Sequence, residues 1–508
     1  MSVSHRIVDV VIVGSGGAGL SAAIEAASLG ALTLVLEKSS SIGGTTANWS
    51  VGSIAAAGTR IQKKAGVHDT PDDFFDDLPL FATTSNHSDN PELRRMLVEH
   101  SGEAVDWLSG LGVRFLGPFP EPPHRRNRMH NVLPNSRAYG RALTRRAQHL
   151  GVTIETGTRV TSLLIEDGVV IGVRAKTAGR AVEVRARHGV ILASGDYSSD
   201  PTLKADLIGP HARDVKAPNP ESTGDGHRMA LEIGAVVLNG DVAGGPMVRF
   251  MAPPKKTLIA RLPPIGALAS ILRIGAKLAP AWLFRRVMMQ FLTTNLAPSD
   301  TFLNEAGAIV DQAGNLIEVE GSVSSSITGR GNIYFILDGA SAESFSGWPR
   351  FISTATGMAY AYLDDYRRSR PDVYHQARSL DELAIKISVD PLKLRDAVAA
   401  HNDRRADRSS VAGSTVLRPP FVALGPAMNW INVTDGGLAV DTSLRVLDND
   451  EKPIPGLYAA GSAGQGGLLL DGHGTHIGWA IVSGRIAGAN AASSEVSHVA
   501  PSEASATR

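Results

Sequence analysis

Hydrophobic positions along the chain change period several times, and each change predicts an element. The apolar run Asp9-Val10-Val11-Ile12-Val13 reads as a buried strand. It breaks at Gly14-Ser15-Gly16-Gly17-Ala18-Gly19 and passes into a helix-like stretch over 20–29. A second apolar strand over 33–36 then ends in Glu37. Ile42 to Asn48 is small and hydroxyl-rich and reads as a loop. Asn90-Pro91-Glu92 is a helix start, with Asn90 as cap and Pro91 in the first turn. That helix repeats Leu93, Met96, Leu97, Ala104, Trp107 and Leu108 at helical spacing. Another helix is predicted over 136–150. From 152 to 193 the period shortens to that of strands, over 152–155, 160–165, 169–173 and 190–193, with Asp167-Gly168 as a hairpin turn. A last strand, from Pro453, runs into Gly461.

Strand, glycine turn, helix, strand and acid in that order make a dinucleotide-binding βαβ unit. Gly14 permits the tight turn, Gly16 lets a pyrophosphate approach the backbone, and Gly19 lets the helix pack against the strand. Unpaired N–H groups at the helix start face the phosphates, and Glu37 stands where an acid bonds the adenosine ribose hydroxyls.

Composition narrows the picture further. At 508 residues two or three structural units are expected. With 50 basic and 50 acidic side chains the charge balances, which gives no sign of a nucleic-acid partner. Cysteine is absent, which excludes disulfides, thiolate zinc sites and iron–sulfur ligation within this sequence. The first strand begins within about eight residues of Met1, too early for a signal peptide, and no uncharged apolar run reaches the ~20 residues of a membrane span. A cytoplasmic enzyme is the expectation.

Four blocks, VDVVIVGSGGAGLSAA, VLEKSSSIGGTTANWSVG, STGDGHRMA and GLYAAGSAGQGGLLLDGHGTHIGWAIVSGRIAGANAA, resemble the flavoprotein family of fumarate reductases, succinate dehydrogenase flavoprotein subunits and 3-ketosteroid dehydrogenases. The resemblance runs from residue 7 to 493 and implies FAD. It implies an α/β fold: a GR2-type, Rossmann-like FAD-binding domain over 1–245 and 426–493, interrupted by an α+β cap over 246–425, with a disordered tail over 494–508. Cofactor contacts are implied at Gly14, Gly16, Ala18, Gly19, Glu37, Lys38, Gly43, Gly44, Thr45, Thr46, Val160, Asp225, Gly461, Ser462, His476 and Ile477. In physical terms, two helix N-termini, one starting at the glycine turn and one near Thr475, face the pyrophosphate and the flavin's pyrimidine end.

The chain also departs from these relatives. Where dicarboxylate reducers carry a clamping arginine, the register on Gly484-Arg485-Ile486-Ala487-Gly488 gives Asp471. Asn432-Val433-Thr434-Asp435-Gly436-Gly437 lacks the histidine usual before that glycine pair, and Glu320-Gly321-Ser322-Val323-Ser324 replaces the segment with the proton-donating arginine, leaving Arg330 as a shifted substitute. Gly472-His473-Gly474-Thr475-His476-Ile477-Gly478 is similar to the steroid dehydrogenase block, with Gly474 matching its glycine and Leu470 in place of its tyrosine. Two proton carriers or carbonyl polarisers are open: His473, tuned by a neighbouring carboxylate such as Asp471, and Tyr139. The expected reaction is FAD-dependent oxidoreduction at a carbon–carbon bond next to a carbonyl of a neutral hydrophobic molecule. The alternatives are reduction of an unsaturated acid through arginines such as Arg249, Arg330 and Arg350, and a non-catalytic electron-carrying flavoprotein. The electron donor or acceptor is left open.

One stretch stands apart. Residues 251–298 hold seven basic residues (Lys255, Lys256, Arg261, Arg273, Lys277, Arg285, Arg286) and no acidic one, among many apolar side chains. Over 265–292 this reads either as two amphipathic helices broken at Pro280 that bury Leu268, Ile271 and Leu272, which is the favoured expectation, or as an entrance or membrane-contact surface for a hydrophobic substrate.

Overall fold

Strand Ser4–Val13 runs through the middle of an eight-stranded sheet because Val10, Val11 and Ile12 are fully buried on its two faces. The computed structural model describes residues 4–81, 87–255, 257–278, 280–355, 359–407 and 414–494. The sheet order is Arg445–Leu447, Pro453–Ala459, Arg180–Leu192, Ser4–Val13, Thr33–Leu36 and Thr153–Glu155, with the Thr158–Glu166/Val169–Thr177 hairpin paired to Arg180–Leu192. Asp167 and Gly168 both take positive φ at the tip of that hairpin, +49° and +76°, the type I′ geometry that the Asp-Gly pair predicts.

The parallel strands are in register where they stop. Val13 lies beside both Leu36 and Leu192, and Leu192 beside Ala459. The residues that follow, Gly14, Glu37, Ala193 and Ala460, therefore leave one edge of the sheet together. A crevice outside the carboxyl ends of such strands is where α/β sheets bind ligands.

The helix Gly17–Ser28 packs on the closing helix Thr475–Ala492. Glycine makes the close approach possible: a Cβ at Gly484 would lie 2.3 Å from the Ala18 carbonyl oxygen, and one at Gly488 would lie 2.3 Å from that of Ala22. Asn90 caps Pro91–Gly110 as predicted, its side chain accepting from the Glu92 and Leu93 N–H groups. Leu93, Leu97, Ala104 and Leu108 of that helix are buried, whereas Met96 and Trp107 are half-buried. The stretch expected as a loop after Ile42 instead holds the short helix Gly44–Asn48, entered through Gly43 and Gly44 at φ +106° and +50°.

Between the two halves of this sheet lies a region with its own apolar core, including Phe250, Phe302, Phe335 and Tyr366. Its antiparallel sheet has the order Met247–Phe250, Phe421–Trp430, Ile333–Leu337 and Ala308–Asp311, with Tyr374–Ala377 also on Phe421–Trp430. The entering and leaving strands, Met247–Phe250 and Phe421–Trp430, pair with each other, and Arg249 faces Met428 in the register. Just outside them Gly244 and Val433, then Asn432 and Gly244, exchange backbone hydrogen bonds of 2.9 and 3.0 Å. The chain leaves this antiparallel sheet after Trp430.

Helices Gly266–Leu278 and Ala281–Asn295 break at Pro280, as predicted. Their packing differs from expectation. Leu268 and Leu272 are only half-buried, and Ile271 is 66 % exposed. The tail from 495 onward lies outside the described residues. Among the described residues no helix is long and apolar enough to cross a membrane.

Candidate active site

The glycine turn is built as its spacing requires. Gly14 sits at φ +102°, and a Cβ there would meet the Ala193 oxygen at 2.5 Å; a Cβ on Gly19 would lie 2.0 Å from the Gly14 oxygen. Gly16 is the contrast, since a Cβ there meets nothing within 4 Å. Backbone at Gly16 therefore fronts open space at the start of a helix whose own N-cap residue has no side chain. Gly44 closes over it (its Cβ would be 3.0 Å from Gly16 Cα), and Thr46 Oγ1 accepts from the Gly17 N–H at 3.3 Å. Thr45 Oγ1 accepts from Asn219 at 2.8 Å.

At the other end of this groove Glu37 is buried, with one carboxylate oxygen accepting from the Ser15 N–H and hydroxyl at 2.8 and 2.7 Å and the other from the Ser39 N–H at 2.8 Å. Lys38 meets Asp225 at 3.1 Å and Arg159, the neighbour of buried Val160, meets it at 2.7 Å. Burial works against the Asp225 carboxylate, but these cations hold its pKa below the usual range. Four residues that the resemblance implied, Glu37, Lys38, Val160 and Asp225, are thereby brought to one place.

The carboxy-terminal block meets the opening helix from the other side. Gly461, at φ +63°, would place a Cβ 2.9 Å from that of Ala18, its N–H donates to Ser483 Oγ at 2.8 Å, and Ser462 follows it in a short 3₁₀ turn. Gly474, at φ +89°, is the N-cap of Thr475–Ala492, a second helix start without a capping side chain and without acid in its first turn. A Cβ at Gly474 would be 2.6 Å from the Ala55 nitrogen, so the helix start is pressed against strand Ser53–Ala55. His476 and Ile477 occupy that first turn. The residues present fit FAD: open backbone at Gly16 and two helix N-termini with glycine at the N-cap suit an anionic dinucleotide.

Facing this turn are groups that local sequence patterns did not bring together. His473 donates its backbone N–H to Glu121 Oε1 at 2.8 Å, and its Nδ1 contacts the same oxygen. Glu121 is buried and raises the His473 pKa above the ordinary imidazole value, against desolvation and the charge of Arg249. The carboxylate that tunes His473 is therefore Glu121 rather than the adjacent Asp471. His473 itself stays open, with its side chain 63 % exposed. His476 Nε2 meets Asp435 Oδ1 at 2.7 Å. Burial would lower the His476 pKa, yet Asp435 overrides it and raises it, while Asp471 adds to the effect at longer range.

Arg249 reaches this face from strand Met247–Phe250. Its guanidinium donates to Asn432 Oδ1 at 2.8 Å and to the Asn295 carbonyl. Burial lowers its pKa, as expected of a cation held by neutral acceptors. Arg330 is exposed, and Arg350 pairs with Glu305 at 2.6 Å, so neither shares the hydrogen-bonded group around Arg249. Tyr139 is placed away from chemistry: fully buried, it donates its hydroxyl to the Gly52 carbonyl at 2.8 Å and packs on Phe115, and burial drives its pKa up. Its proton is committed to the backbone, so it cannot polarise a substrate carbonyl.

Sequence reasoning passed over Glu121, Asp435 and Asn432 as site residues. The last two stood in the Asn432-Val433-Thr434-Asp435 segment, read there only for a missing histidine. The signal for Glu121 was an acid in the rigid run Glu121-Pro122-Pro123-His124.

Comparison with known proteins follows the same lines. The family described as FAD binding domain matches residues 9–469. The chain is 25% identical over 515 residues to an NADH:fumarate oxidoreductase of Klebsiella pneumoniae (strain 342), covering 95% of this chain and 47% of that protein. It is 28% identical over 516 residues to a vinyl phenol reductase of Lactiplantibacillus plantarum, covering 96% of this chain and 97% of the other. The open conformation of a flavocytochrome c3 fumarate reductase shares the fold, with TM-score 0.69 and 22% identity over 96% of this chain and 78% of that one. The chain spans about half the length of the first two curated relatives it matches, 47% in each case.

Proposed function

We propose that the chain, which belongs to the FAD-binding-domain family, is an FAD-dependent oxidoreductase that acts on a carbon–carbon bond next to a carbonyl of a neutral, hydrophobic substrate. The observation that carries this reading is the composition of the face around His473: one buried carboxylate holding one open imidazole, and one guanidinium on neutral acceptors. A dicarboxylate is best gripped by a guanidinium at each end, and of Arg249, Arg330 and Arg350 only Arg249 lies on this face.

Held by the glycine turn at Gly14 and Gly16 and by the start of the closing helix at Gly474, FAD would supply hydride exchange with one carbon of the substrate. The chain's own groups manage the rest. Glu121 occupies His473 Nδ1, which leaves Nε2 as the atom that delivers a proton to the neighbouring carbon in the direction of reduction and removes it in the direction of oxidation. Arg249 donates to the carbonyl oxygen, where negative charge grows as the double bond is attacked. His476, whose pKa Asp435 raises, adds positive charge when protonated at the start of the closing helix, the end that favours an anion. The insertion, carrying Arg249, acts as a cap over the substrate. Likeness to the vinyl phenol reductase over nearly the whole of both chains supports an uncharged alkene as substrate.

A second reading, an unsaturated monocarboxylate gripped by Arg249, is favoured by the same guanidinium, one cation for one carboxylate. Anaerobic mixing of the dithionite-reduced holoenzyme with cyclic enones, vinyl phenols, acrylate and fumarate separates the two. Fast reoxidation of the flavin spectrum by the uncharged alkenes, with little change on fumarate, is the expected result. Reoxidation by acrylate or fumarate, and not by the uncharged alkenes, would overturn the reading.

A further inference from the structure

We propose that the outer face of helices Gly266–Leu278 and Ala281–Asn295 docks on an anionic lipid bilayer. The first of these helices carries apolar residues on two sides. Toward the body, Ala269 is buried and Ser270 Oγ accepts from Arg114 at 3.3 Å. Away from it, Ala267, Ile271, Ile274 and Leu278 follow i, i+4, i+7, i+11 spacing and form one outward stripe. Ile271 is 66 % exposed, Ile274 60 % and Leu278 79 %; beyond Pro280, Trp282 is 66 % exposed. A surface helix ordinarily turns polar residues to water on that side.

Charge says what covers the stripe. Residues 251–298 contain seven basic residues and no acidic one, in a chain whose 50 basic and 50 acidic groups balance overall. Arg273 and Arg286 are exposed beside the apolar residues, and Arg285 meets Asp365 at 3.4 Å. A second copy seated symmetrically on this face would set like charges against each other. Anionic headgroups match the charge, the acyl boundary takes the apolar stripe, and a tryptophan belongs at the level between them. The helix, 13 residues long, lies in the plane of the surface and does not cross it. This proposal does not depend on the identity of the substrate.

Flotation of the holoenzyme with vesicles tests it. Binding is expected to vesicles containing phosphatidylglycerol, weakening with salt, and not to pure phosphatidylcholine. The triple substitution Ile271→Ser, Ile274→Ser, Leu278→Ser should lower partitioning by about tenfold or more, and Arg273→Gln with Arg286→Gln should remove the lipid-charge preference. Both variants should keep FAD content and turnover of a soluble substrate. No flotation, flotation indifferent to both variants, or a dimer in sedimentation velocity that the serine variant dissolves would each overturn the proposal.

Discussion

His473 and Glu121 are separated by 352 residues, yet they share a carboxylate oxygen. Their pairing raises the imidazole pKa, which fixes the sign of a pH effect. In the direction of reduction the protonated ring is the active form, so turnover should hold at low pH and fall as pH rises through a value above 6.5, the ordinary imidazole pKa. In Glu121→Gln that limb should move to lower pH, with FAD content unchanged, as read from a pH–rate profile. His473→Ala should cut turnover by about 100-fold and abolish the limb altogether. A profile unmoved by Glu121→Gln would leave Glu121 a structural residue only.

At the scale of elements, the opening and closing helices separate two kinds of glycine. A Cβ at Gly16 meets no atom within 4 Å, so in Gly16→Ala the fold should survive while the added methyl stands in the phosphate's path and weakens FAD binding. Gly484→Val drives a Cβ toward the Ala18 oxygen at 2.3 Å and should destabilise the protein by about 1–3 kcal/mol through overpacking. Flavin absorbance together with urea unfolding distinguishes them. This contrast also explains what the sequence made legible. The βαβ unit, the Asn90 cap, the Asp167-Gly168 hairpin and the helix from Thr475 are local periodicities and turn chemistry, readable without neighbours. Glu121 on His473, Asp435 on His476 and Asn432 on Arg249 come from distant segments, and no local pattern encodes them. Ile271 was misjudged for a related reason: an apolar period shows that a helix has a greasy side but not whether a core lies against it.

For the whole molecule, the cofactor crevice lies where four strand ends and two helix starts converge, so occupancy should couple to global stability. Removing FAD should lower the Tm, and adding it back at about 100 Kd should restore about 2.7 kcal/mol. Calorimetry of the apo- and holoprotein measures this, and identical melting curves would contradict it. The insertion, by contrast, is joined to the sheet-bearing body through adjacent strands, Met247–Phe250 and Phe421–Trp430, whose flanks are stitched at Gly244 and Val433. Both chain crossings therefore run side by side in one two-stranded stem, beside which Asn135, Arg137 and Arg114 also reach residues 259–270. Such an attachment lets descent with modification exchange the part that meets the reactant while the pigment's cradle stays as it was. One scaffold could thereby be refitted to a new small molecule by changing only what hangs from that stem.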